Sequence, residues 1–105
     1  MSDLIIDESR PDLMKLYHLI AFLTPENRRV LQVIYSHKPE SISHLCELID
    51  KTISHTRTIV TKAVDLGLVQ LEENGRVSRP VLAKMGLKLD FDFKRGKVDA
   101  YFYEF

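Results

Sequence analysis

At 105 residues, 45% apolar and 29% charged, the chain has the length and make-up of one soluble domain with one core, which excludes a disordered or fibrous class. Its formal net charge is zero, so the whole molecule does not advertise a polyanionic partner, and a lone Cys46 excludes a disulfide framework or a cysteine-based metal site. The charge is unevenly spread: residues 1–50 hold five basic and eight acidic side chains, residues 51–97 ten basic and five acidic.

No stretch reaches transmembrane length and the N-terminus lacks the basic region of a signal peptide, so a cytoplasmic protein without a membrane partner is expected. Asp3 to Asp7 is a short β-prone run before Ser9-Arg10-Pro11, either an edge strand or a disordered arm. Leu13–Leu23, LMKLYHLIAFL, is apolar at nine of eleven positions. A helix apolar nearly all round must be covered on more than one side. Such a helix either lies deep in the monomer's core or, the reading favoured in a domain this small, also packs against a second subunit.

Thr24-Pro25-Glu26 starts the next helix, with Thr as N-cap, Pro at the first position and an acid in the first turn. It runs to about Ser36, burying Val30, Leu31, Val33 and Ile34 with Arg28 and Arg29 outward, and His37-Lys38-Pro39 ends it. Ser43 is read as N-cap of a short helix, His44–Ile49, with Leu45, Leu48 and Ile49 inward. Cys46 is read as a packed core thiol rather than a nucleophile. Thr52 caps a further helix in which Ile53, Thr56, Val60, Ala63 and Val64 share the apolar face. Its opposite face carries Ser54, His55, Arg57, Thr58, Thr61 and Lys62 and no acid. Gly67 is placed for a left-handed cap.

Val69–Glu72 and Arg76–Arg79 alternate as two strands around Glu73-Asn74-Gly75. A three-residue loop with Gly75 left-handed pairs Leu71 with Val77 and Glu72 with Arg76, sorting apolar from charged. Three helices and a hairpin are the winged helix-turn-helix order. After Pro80, Val81–Met85 is expected as a loop or brief turn. Leu87–Lys94 then alternates, so Leu87, Leu89, Phe91 and Phe93 are expected to bury one face of a strand. Arg95-Gly96-Lys97 turns into a second strand, Val98–Phe105, apolar or aromatic on both faces, which must be covered by the N-terminal strand, the first helix or another chain. The fold class is thus α+β, a winged helix-turn-helix with an extra N-terminal helix and a C-terminal β-hairpin. Residues 1–105 form one domain, divided into 1–23 for dimerisation, a 24–80 core and the 81–105 strands.

A helix whose free face is small, polar and cationic suits a DNA major groove. Arg57 and Lys62 are long donors for guanine edges or phosphates, and Thr58 and Thr61 offer hydroxyls and methyls. Ser54 and His55 sit near the helix N-terminus, where a base edge or a phosphate is reached. Ser43 and His44 open the preceding helix toward the backbone, and Arg76 and Arg79 of the hairpin reach flanking phosphates or the minor groove. Dimerisation is assigned to Leu13, Leu16, Tyr17, Ile20, Tyr101 and Tyr103. Acids are scattered, and His44 with Cys46 is two ligands, not a site. Neither an enzyme, a metal nor a cofactor is expected.

From Thr24 to about Phe93 the sequence resembles the MarR-like winged-helix transcriptional regulators, most of all a compact prokaryotic group. The likeness rests on Thr24-Pro25, on Ser41-Ile42-Ser43-His44-Leu45, on Val60–Val69 (VTKAVDLGLV), on Asn74-Gly75-Arg76 and on a strand after Pro80. Thr56 and Ala63 stand where that pattern usually has larger aliphatics, and the aromatic tail has no counterpart. The resemblance implies double-stranded DNA binding in transcription control. The competing class is a protein-interaction winged helix, or a DNA-binding antitoxin whose aromatic C-terminus grips a partner protein.

Overall fold

Two threonine caps, one of them followed by proline, set two of the helices where the sequence signals them. The computed structural model describes residues 4–6 and 12–103 as an α+β arrangement: β1 (Leu4–Ile6), α1 (Asp12–Phe22), α2 (Pro25–His37), α3 (Ile42–Ile49), α4 (Ile53–Asp65), β2 (Val69–Asn74), β3 (Val77–Leu82), β4 (Gly86–Asp92) and β5 (Lys97–Tyr103). The Ser9-Arg10-Pro11 break and the last two residues of the second aromatic strand, Glu104 and Phe105, lie outside the described residues. Two units form, Phe22–Ala83 and Met1–Ala21 with Lys84–Phe105. Among the described residues no helix is long and apolar enough to cross a membrane.

In the 22–83 unit, Thr24 Oγ1 accepts the Asn27 N–H at 3.3 Å and Pro25 occupies the first helical turn. α2 buries Val30, Val33 and Ile34 and stops at Lys38, whose left-handed backbone (φ 47°) returns its N–H to the Ile34 carbonyl. Leu31 is only half-buried.

α3 begins two residues before the expected start: its N-cap is Ser41, not Ser43, with Oγ accepting the His44 N–H at 3.0 Å. The reason lies three residues on. His44 Nδ1 accepts the N–H of Glu40, the residue before the cap, at 3.1 Å, so the third helical residue reaches back past the cap in a variant of the capping box. Ser43 is followed at the same spacing by Cys46, which offers no such return. Ser41→Ala should therefore lower stability by about 1 kcal/mol in urea unfolding, and Ser43→Ala should leave it nearly unchanged.

α4 is capped by Thr52, whose Oγ1 accepts the His55 N–H at 3.1 Å. Its buried stripe is Thr56, Ile59, Val60 and Ala63. Ile53 was expected inward but is exposed, because it is the first helical residue and precedes the packed turns. Thr56 is fully buried, and its hydroxyl is satisfied by donating to the Thr52 carbonyl at 2.8 Å. Gly67 (φ 78°) ends the helix as expected: its N–H goes to Val64 O and that of Leu68 to Ala63 O, the paired bonds of a Schellman motif.

The β2–β3 register departs from the three-residue loop. Asn74 pairs with Val77, Glu73 with Ser78, Glu72 with Arg79 and Leu71 with Pro80, leaving a two-residue Gly75-Arg76 loop. Gly75 at φ 67° as the first loop residue, followed by a non-glycine at negative φ, matches the signs of a type II′ hairpin turn. This register still opposes Glu72 to an arginine, and it carries β3 through Val81 and Leu82, which were expected in a loop.

In the other unit the sheet order is β1-β5-β4, antiparallel throughout. β5, apolar on both faces, is the middle strand, and Leu4–Ile6 is an edge strand that covers its flank. The β4–β5 turn is held by Asp92, whose Oδ1 accepts the Lys94 and Arg95 N–H groups while Oδ2 accepts Arg95 Nε at 2.7 Å. The Arg95 side chain foremost, then these backbone donors, keep the Asp92 carboxyl below its usual pKa. Leu16, Leu19, Ala100 and Phe102 are the unit's most buried side chains.

Two expectations fail in this unit. Leu87 is half-buried, while Leu89, Phe91 and Phe93 are exposed, Phe93 at 87%. Alternation shows that such residues share a face; it does not show that the face is covered at a sheet edge. On α1, Leu16 is 1% exposed. The chain itself covers it, so it has no surface for a second copy, whereas Tyr17 and Ile20 are exposed beside Met14.

Candidate nucleic-acid interface

The packed stripe of α4 leaves Ser54, His55, Arg57, Thr58, Thr61 and Lys62 all exposed. Two concave surfaces meet along this helix. A groove of about 370 Å³ brings Ser43, Arg57, Thr61 and Arg76 together with Ser41 and Ser78. The second, more open surface is lined by Ser54, Arg57, Thr58, Thr61 and Lys62, with Asp65 at its far end. Arg57 and Thr61 line both. Among the described residues, Arg57, Lys62 and Arg76 make no ion pair or side-chain hydrogen bond, so three cationic donors stand free around α4 and the β2–β3 tip.

The other expected residues are differently placed. His44 is half-buried and its Nδ1 is taken by the Glu40 N–H, which puts the ring proton on Nε2. Thr58 gives its hydroxyl hydrogen to Ser54 O at 3.1 Å and keeps its lone pairs for a donor. Arg79 donates twice to Glu72 and borders an acidic hollow with Glu40 and Glu73. It is held away from the groove that Arg76 lines. Ser41 and Ser78 were not foreseen at the groove. The Ser-x-Ser spacing ahead of α3 was the available signal for Ser41, but Ser78 depended on the hairpin register.

Glu26 was also missed. It lies in the first turn of α2, and its carboxylate takes His55 Nε2 at 2.7 Å and Lys51 Nζ at 3.8 Å. The His55 hydrogen bond, helped by Lys51, lowers the Glu26 pKa. A carboxylate depressed in the folded state contributes stability that is present above its unfolded pKa and lost as pH falls through its folded one. All three groups are about half exposed, so the effect is small. The stability difference between wild type and Glu26→Gln should exist at neutral pH and vanish in acid below the ordinary carboxylate range, as read by urea unfolding across pH.

Among the described residues no group of three or more His, Cys, Asp or Glu side chains could hold a metal ion. Residues 22–86 match the model of the family HVO_A0114. The chain belongs to the HVO_A0114 family. No curated protein matches its sequence. The span shared with HVO_A0114 contains α2, α3, α4 and the β2–β3 hairpin, and with them every residue around the two surfaces described above.

Proposed function

We propose that the chain is a sequence-specific double-stranded DNA-binding transcriptional regulator of the MarR-like winged helix-turn-helix kind, acting in the cytoplasm as a homodimer. α4 is the recognition helix in the major groove and β2–β3 is the wing on the flanking backbone or minor groove. The observation that carries this reading is the free face of α4. Among the described residues Arg57 and Lys62 stand there without counter-ions beside hydroxyl side chains, and Arg76 is likewise unpaired at the hairpin tip. Unpaired arginine is the side chain best matched to guanine edges and phosphates. Ser43, with the α3 N-terminus behind it, adds a backbone contact to the same groove. Arg79 and His55 have secondary roles, since each first has to leave a carboxylate. No catalytic residue and no cofactor is assigned.

The affinity of the full chain for a duplex, measured against salt, tests this reading. If Arg57, Lys62 and Arg76 of two copies each neutralise one phosphate, the slope of log K against log salt is roughly −5. A slope near zero contradicts DNA binding. It would favour the competing reading, a protein-docking module, for which the exposed Phe91 and Phe93 speak.

A further inference from the structure

β4 is the outer strand of the β1-β5-β4 sheet, and among the described residues one of its edges has no strand beside it. Exposed edges are commonly blunted by proline, a bulge or charged side chains. β4 has no proline and no bulge, pairing with β5 continuously from Gly86 to Asp92, and its charges, Lys88, Asp90 and Asp92, are of mixed sign, so they repel a second strand only in some registers. One face carries Leu87, Leu89 and Phe91, continuing the face on which Ala100 and Phe102 are buried in β5. That apolar face runs outward past the covered centre, and Leu89 and Phe91 remain about half exposed at the margin. Phe91 is propped edge-on by Phe93, with ring centroids 5.0 Å apart. The other face carries Lys88, Asp90 and Asp92.

We infer that the free edge of β4 is an interface between two copies of this chain, paired antiparallel about a twofold axis through Leu89. Leu89 is the middle residue of the strand, so this register uses all of it. Lys88 then opposes Asp90 of the second copy, and Asp90 opposes Lys88 of the second copy. Leu87 opposes Phe91, Leu89 opposes itself, and the exposed Met85 meets Phe93 just beyond the strand end.

Other registers are worse. Sliding by two residues one way sets Lys88 against its own copy, and the other way sets Asp90 against its own copy. Sliding by one puts leucines opposite charges on the same face. Like charges directly opposite are destabilising and opposite ones stabilising, so the charges select one register out of several. A twofold contact must be self-complementary, and this strand is. The two three-stranded sheets then join into one of six strands with a continuous apolar face.

The inference rests on the two-copy part of the reading above and not on DNA binding, so it is tested without DNA. Sedimentation equilibrium of the full chain, from micromolar to high-micromolar concentration, should show a dimer. Lys88→Glu alone and Asp90→Lys alone each set like charges opposite at two symmetry-related places, and each should raise the dimer Kd by roughly tenfold or more. The double variant restores opposite charges and should recover most of the affinity. Both positions are exposed, and circular dichroism confirms that each variant is folded. A monomer at every concentration overturns both the homodimer and this interface. A dimer indifferent to the single changes, or one not restored by the double, overturns this interface alone. So does a dimer lost only with Tyr17→Glu, which would move the contact to the exposed stripe of α1.

Discussion

Replacing Arg57 and Arg76 together by alanine is expected to weaken duplex binding by about 100-fold, with Arg57→Ala alone supplying the larger share. Arg57 lines both concave surfaces beside α4, and Arg76 lines the groove from the opposite wall. Neither side chain has a carboxylate to leave among the described residues, so its whole charge is available to a phosphate or a guanine edge. A good bidentate base contact discriminates by roughly 1–3 kcal/mol, and losing a phosphate contact makes the salt slope shallower by about 1 per site. Stability should stay within about 0.5 kcal/mol of wild type, since exposed and unpartnered positions contribute little to folding. Arg79→Ala should cost only a few-fold in affinity, because Glu72 already holds that side chain. Fluorescence anisotropy on a labelled duplex, with urea unfolding of each variant, separates the two effects.

Leu45→Ala is expected to do the reverse: to cost about 2–5 kcal/mol of stability while leaving the charged face of α4 chemically intact. Leu45 is 0% exposed. α3 has only eight residues, and a helix that short is not stable on its own in water, so its position depends on what it buries. Leu45, Cys46 and Ile49 are its buried side chains. Truncating Leu45 leaves a cavity beneath the helix that carries Ser41 and Ser43 to the groove. Against a typical total of about 5–15 kcal/mol, the loss is large. Urea unfolding should show a lower midpoint at nearly unchanged slope, and duplex affinity below the transition should fall far less than in the double arginine variant.

Signals that act within a few residues were legible in the sequence. Thr24 with Pro25, Thr52, and Gly67 mark helix ends because a cap or a left-handed residue satisfies backbone groups three or four positions away, and all three stand where expected. The period of α4 likewise separated Arg57, Thr58, Thr61 and Lys62 from the buried stripe. Ser41 and Ser43 were harder to separate. Both are good caps, and the choice turned on His44 Nδ1 accepting the Glu40 N–H, a geometry that composition does not carry. The hairpin register failed for a related reason: Glu72 meets an arginine in either pairing, so charge sorting did not discriminate, and the turn preference of Gly75-Arg76 decided. Least legible was coverage. Leu89, Phe91 and Phe93 alternate as core residues do, but burial depends on what lies over a sheet edge, and so does the free or captured state of Arg76, Arg79 and His55.

The most direct test of DNA recognition by α4 is an unbiased selection of duplexes bound by the full chain at physiological salt. A homodimer with one recognition helix per copy predicts a palindromic motif, its half-sites centred about one helical turn, 10–10.5 base pairs, apart or a multiple of that. The motif should be lost when the same selection is run with Arg57→Ala. Failure to enrich any sequence over the starting pool, or an identical motif from the Arg57→Ala protein, would contradict it.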